Sequence, residues 1–156
     1  MSGTWGLACL VTILGAVFVH TSTGQARGPT AVTLDRNVLH GQGLDRIAPY
    51  KKEVTISGMQ QMSARELFKG AFVVDVWETQ DGGTLLLKNY PFDQFVQVLQ
   101  GTTTLISSGG VSRSYAAGDL FVVPRGFNGT WTVSRGFREI LIIEAESLQA
   151  GIGQFE

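Results

Sequence analysis

Cysteine occurs once in this sequence, as Cys9, and histidine twice, as His20 and His40. A lone thiol closes no intrachain disulfide and cannot supply the several sulfurs of a thiolate metal site. A serine, histidine and aspartate triad is excluded in turn, because His40, the one histidine beyond the first 26 residues, stands in a polar arm outside every strand-like run. Charge is sparse as well, at 16% of residues, with 12 Lys plus Arg against 13 Asp plus Glu. No basic run or stripe is present, so the electrostatic footprint of a nucleic-acid partner is missing. Paired glycines at Gly82-Gly83 and Gly109-Gly110 separate strand-like runs and open no helix, which excludes a phosphate loop.

What the chain does have is apolar material, 44% of its 156 residues, enough for one domain that buries about two thirds of its unfolded surface. Part of it is set aside at the start. Trp5 to Val19 carry no charged side chain, and small polar residues follow up to Gly24-Gln25-Ala26. This run is roughly 15 residues, short of the roughly 20 that a spanning helix requires. It reads as a secretory signal peptide over residues 1–26, which places the protein in the periplasm or outside the cell with no lasting membrane association. Cleavage would also remove Cys9, and with it any thiolate nucleophile.

Residues 27–60 read as an N-terminal arm, polar and broken by Gly28, Pro29, Gly41, Gly43 and Pro49, with a short strand in KKEVTIS at 51–57. Ser63 and Glu66 have the spacing of a capping box, and Gly70 stands where a C-cap glycine would stop the turn. One short helix is therefore expected over residues 63–69. From residue 71 onward the pattern changes to eight runs rich in branched and aromatic residues: AFVVDVW, TLLLKNY, QFVQVLQ, TTLIS, SRSYA, LFVVP, TWTVS and REILIIE. Glycine, proline and aspartate turns divide them at intervals of about eight to twelve residues, the pattern of an antiparallel sandwich or barrel. Without alternating helices a parallel sheet is disfavoured.

The turn residues carry a resemblance. Gly118 is followed after five residues by Pro124, then by Gly126 and Gly129, while Gln94 precedes Gly101 by seven positions. With Val76-Trp77-Glu78 upstream and Phe127-Asn128-Gly129-Thr130-Trp131 downstream, residues 70–145 resemble the cupin superfamily. The similarity is to its ureidoglycine aminohydrolase-like and ethanolamine-utilisation-like domains. That resemblance implies an all-β fold, a double-stranded antiparallel β-helix or jelly-roll barrel over residues 61–146, flanked by the arm, one short helix and a C-terminal tail at 147–156. It also implies a homodimer, with the arm long enough to reach a second copy. The same residues have a purely architectural reading: Gly118-Asp119 permits a tight reversal, and Pro124 and Gly126 end a strand and bend the chain after it.

Metal-binding members of the family hold their ion with two histidines and a glutamate from one motif and a histidine from the other. Carried over residue by residue, those positions become Lys88, Tyr90, Gln94 and Gly129; counted from Gly83 instead, the first two become Asn89 and Pro91. No metal ligand remains, so no metal or other cofactor is expected and the metal-dependent activities are not carried over. Alternation puts Lys88 and Tyr90 on one strand face, so that an ammonium, a phenol and the Gln94 amide would converge inside the barrel beside Trp131. A buried Lys88 would need a carboxylate such as Asp93 or Glu139, or an anionic ligand. The expectation is an exported protein binding a small polar or anionic molecule at Lys88, Tyr90, Gln94 and Trp131. Two alternatives stand beside it: a lyase or isomerase using Tyr90 or Lys88 as acid or base, and a structural dimer with a filled barrel.

Overall fold

The computed structural model describes residues 30–155. The expected signal peptide falls outside the described residues. Val32–Glu156 form one compact unit. In chain order its elements are α1 (Arg36–Leu39), β1 (Asp45–Ile47), β2 (Thr55–Gly58), β3 (Met62–Lys69), β4 (Phe72–Thr79), β5 (Gly83–Leu87) and β6 (Gln94–Gln100). Then come β7 (Thr102–Ser107), β8 (Ser112–Ala116), β9 (Leu120–Val123), β10 (Gly129–Val133), β11 (Phe137–Glu144) and α2 (Ala145–Gly151), with a 3-10 turn at Ile152–Gln154.

All eight runs read from the sequence are strands, β4 to β11. They wind between two antiparallel sheets, ordered β1-β3-β4-β11-β6-β9 and β2-β5-β10-β7-β8, so that almost every connection crosses from one sheet to the other. This is the expected jelly roll. Period-2 patterning drives it: in β6 the side chains of Gln94, Val96 and Val98 are buried while Phe95 is exposed. Val98, Leu87, Val123, Val133 and Phe137 from five different strands meet in the interior. Each such side chain contributes about 1.5–3 kcal/mol by leaving water.

The helix expected over residues 63–69 is instead β3. Ser63 and Glu66 have capping-box spacing, but the segment pairs with β1 on one side and β4 on the other, Ala64 lying between Asp45 and Trp77. Ladder hydrogen bonds on both edges outweigh one turn of local helix preference, and Gly70 ends a hairpin strand rather than capping a helix. Helices form elsewhere. Asp35 starts α1 by accepting the Asn37 N–H at 2.8 Å. In what reads from the sequence as a tail, α2 and the 3-10 turn bring Phe155 back against Tyr50 and Tyr90, at ring separations of 5.5 and 6.0 Å. Lys51 fixes that end, its backbone N–H and its ammonium donating to the carbonyls of Phe155 and Gly153.

Much of the arm is also built in. Its strands β1 and β2 extend the two sheets of their own chain. Residues around α1 lie over the outer face of β11, where Gly41 takes φ +87° and a Cβ would lie 2.2 Å from an Arg138 nitrogen. Beneath it Arg138 forms a salt bridge to Glu78 at 2.5 Å, each side chain only 12% exposed. Farther along the same face, Phe68, Phe95, Leu120 and Val122 are exposed.

Removing one partner of a largely desolvated pair leaves the other uncompensated. Glu78→Ala should therefore lower the unfolding free energy by about 2–4 kcal/mol. Urea denaturation at pH 7 measures it, and a loss below about 0.5 kcal/mol would show the pair to behave as an ordinary surface contact.

Candidate ligand-binding site

The two sheets enclose a cavity of about 620 Å³. Its walls are inward faces: Val73, Asp75 and Trp77 of β4, Glu139, Leu141 and Ile143 of β11, Leu85 and Leu87 of β5, Trp131 and Val133 of β10. Leu148, Ile152 and Phe155 contribute from the C-terminal segment. A bulge shapes the rim. Glu66 pairs with Asp75 and Phe68 with Val74, so Leu67 is an extra residue, and the phase change lets both Glu66 and Lys69 line the cavity.

Polar groups in this space are few and connected. The Tyr90 hydroxyl donates to Gln94 Oε1, and Gln94 Nε2 donates to Glu139 Oε1 at 3.3 Å. Glu139 is 4% exposed and has no salt-bridge partner among the described residues; burial pushes its carboxyl up to about 8, against a smaller opposing effect of the Gln94 hydrogen bond. Asp75 is raised to about 6 by burial and by Glu66, with Lys69 acting the other way. Burial, with Glu139 and Tyr50 nearby, holds the Tyr90 phenol well above its ordinary value. Three buried polar atoms of the lining have no hydrogen-bond partner among the described residues: Asp75 Oδ1, Trp77 Nε1 and Glu139 Oε2. The indole of Trp131 differs, donating to Thr103 Oγ1 at 2.6 Å, so this ring is a satisfied apolar wall.

Of the four residues singled out from the sequence, Tyr90, Gln94 and Trp131 come together at the cavity and Lys88 does not. β5 ends at Leu87, with Leu85 and Leu87 inward, so the expected phase of the strand was off by one. Lys88 is exposed beyond the strand end. Asn89 then adopts φ 47°, a left-handed conformation that asparagine tolerates, and the reversal turns Tyr90 inward. Backbone bonds to Gly126 and Phe127 hold Tyr90 there. Neither proposed carboxylate meets Lys88: Asp93 accepts the Arg125 N–H at 2.9 Å, and Glu139 faces the cavity. What sequence reasoning missed is Asp75, together with the unpartnered polar groups that Trp77 and Glu139 bring to the cavity. A signal was available for Glu139, which shares inward parity with Leu141 and Ile143 in REILIIE.

Residues 66–140 match the family model described as the EutQ-like cupin domain. That match and the fold identify residues 66–140 as a cupin domain. This cupin shares its fold with a protein of unknown function of the DUF861 family from Pseudomonas syringae pv. tomato, at TM-score 0.59 and 19% identity over 64% of the present chain. The chain spans 43% of the length of that protein. A cupin 2 conserved barrel domain protein from Rhodopseudomonas palustris gives TM-score 0.51 and 21% identity, covering 66% of this chain and 72% of its own. No curated protein matches.

The donor set of this cupin does not fit the divalent ion held by metal-binding relatives. Lys88 points away, Tyr90 and Gln94 bond each other, and among the described residues no three His, Cys, Asp or Glu side chains converge. At the fourth position a Cβ on Gly129 would lie 2.1 Å from the Ile106 carbonyl oxygen, so no histidine side chain can stand there without moving β7.

Glu139 also links stability to pH. Its carboxyl is ionised above about pH 4.5 in the unfolded chain but stays protonated to about 8 when folded. Between those values the folded state binds more protons, so stability falls as pH rises. Asp75 shares the lower part of that window, up to about 6. From pH 6 to 8 the unfolding free energy should drop by up to about 1.4 kcal/mol per pH unit. Glu139→Gln should flatten that slope in urea titrations; an equal slope in both proteins would reassign it to another group.

Proposed function

We propose that this cupin is an exported protein that binds a small polar organic molecule inside its barrel without a metal ion. The observation that carries the reading is the cavity of about 620 Å³, apolar in most of its wall yet holding three buried polar atoms without partners. A space of that size suits a small metabolite, and apolar walls with a few convergent polar groups are the usual composition of such sites. Tyr90, Gln94 and Trp131 form one side of it. Export rests on the sequence of residues 1–26 alone.

The charge of the site argues for a neutral ligand rather than an anion. With Lys88 exposed, the cationic side chain lining the cavity is Lys69, at the rim, against the carboxyl groups of Glu66, Asp75, Glu139 and Glu146. A filled structural barrel is disfavoured by the open volume itself. As for the enzyme reading, the Tyr90 hydroxyl is engaged by Gln94, so it serves to position Glu139 rather than to exchange a proton with a substrate.

A fragment library examined by ligand-observed NMR tests the proposal, with Leu141→Trp as a protein whose cavity is filled. Fragments should bind the wild type and lose at least tenfold affinity in the variant. A library that binds neither protein, or both equally, removes the barrel as the site.

We also retain the homodimer as a proposal. It is supported by the exposed row of Phe68, Phe95, Leu120 and Val122 on the outer face of the six-stranded sheet, which a second copy related by a two-fold axis would cover with its own. Light scattering should give twice the chain mass, and the double variant Phe95→Lys, Val122→Lys should give the mass of one chain. A wild-type monomer at micromolar concentration would dispose of the dimer.

A further inference from the structure

We infer that the barrel recognises a neutral carbonyl compound, whose carbonyl oxygen accepts two hydrogen bonds, one from the Glu139 carboxylic acid and one from the Trp77 indole. This deepens the reading of the cavity as a ligand site and rests on it. The first donor follows from the hydrogen-bond chain. Because the Tyr90 hydroxyl donates to Gln94 Oε1, the Gln94 amide is fixed with Nε2 toward Glu139, and it donates to Oε1. Oε1 is thereby an acceptor, and the acid hydrogen belongs on Oε2, the oxygen without a protein partner.

The groups around Glu139 keep it neutral. From β6 and the preceding loop it meets Gln94 and Tyr90; on the neighbouring strands of the same sheet stand Asp75 of β4 and Glu66 of β3, both acidic. Lys69 is at the exposed rim, and Arg138, next in sequence, points outward to Glu78. An ionised carboxylate buried there would have no compensating cation.

The second donor is in register with the first. Trp77 lies directly opposite Glu139 across the β4 and β11 ladder, and its Nε1, a group that can only donate, is buried without a partner. Two donors on facing positions match the two lone pairs of one carbonyl oxygen. A ligand carboxylate would bring a negative charge among carboxyl groups, which disfavours it. Asp75 Oδ1, two residues along β4 on the same inward face and so about 6–7 Å away, is an unpartnered acceptor. It sets a second requirement: an N–H or O–H group on the ligand at that distance.

The probe pair is 4-aminoacetophenone and 4-isopropenylaniline, which differ only in C=O against C=CH₂ and stay uncharged from pH 6 to 9.5. Calorimetric titration of the full chain at pH 6.5 should show the ketone bound at least about tenfold more tightly, since the alkene leaves both donors unsatisfied. At pH 9.5, where Glu139 is ionised and only the Trp77 donor remains, the preference should fall. Glu139→Gln keeps an N–H donor at the same place and should retain the preference at both pH values, while Glu139→Leu and Trp77→Phe should each reduce it. Equal affinity for ketone and alkene at pH 6.5 would overturn the carbonyl assignment and leave the cavity reading standing. If neither probe binds, the cavity reading falls and this inference falls with it.

Discussion

A carboxylic acid held inside an apolar barrel with no cation beside it is the constraint around which the interior is arranged. Desolvation raises the cost of charge on Glu139, and the one direct hydrogen bond it receives comes from an amide. That amide is in turn oriented by the Tyr90 phenol. Each link requires the next, so the polar chain runs from the 126–127 loop through Tyr90 and β6 to β11 within the six-stranded sheet. β11 is central to this, because consecutive residues of it carry opposite duties: Arg138 closes an ion pair on the outside, and Glu139 faces the cavity.

The strand framework was legible because it depends on a short-range signal. Period-2 runs punctuated by glycine, proline and aspartate located β4 to β11, and the glycine and proline spacing identified how they wind. What failed were places where tertiary pairing overrides local preference. Residues 63–69 carry helix-capping chemistry at Ser63 and Glu66, yet they lie between two strands whose ladders decide the outcome. Residues 145–155 carry no strong helix signal of their own and are ordered by packing Phe155 onto aromatic rings.

The site was half legible for a related reason. Alternation works only while a strand continues, and β5 stops one residue before Lys88. The left-handed turn at Asn89 then reverses the phase, so Tyr90 enters the barrel although its predecessor in the motif does not. Glu139 was visible in the sequence but only as a partner for a lysine. That an acid could stand alone among inward aliphatic residues becomes evident only when the neighbouring strands, and the absence of any cation on them, are seen in space.

The contact between Gly129 and the Ile106 carbonyl has a consequence for how this barrel relates to its metal-binding kin. Here Gly129 takes φ +157°, which aims a Cβ at the Ile106 carbonyl, so backbone stands where an imidazole would begin. A histidine here would need a different backbone conformation at Gly129 as well as a new side chain, so a single substitution does not supply that ligand.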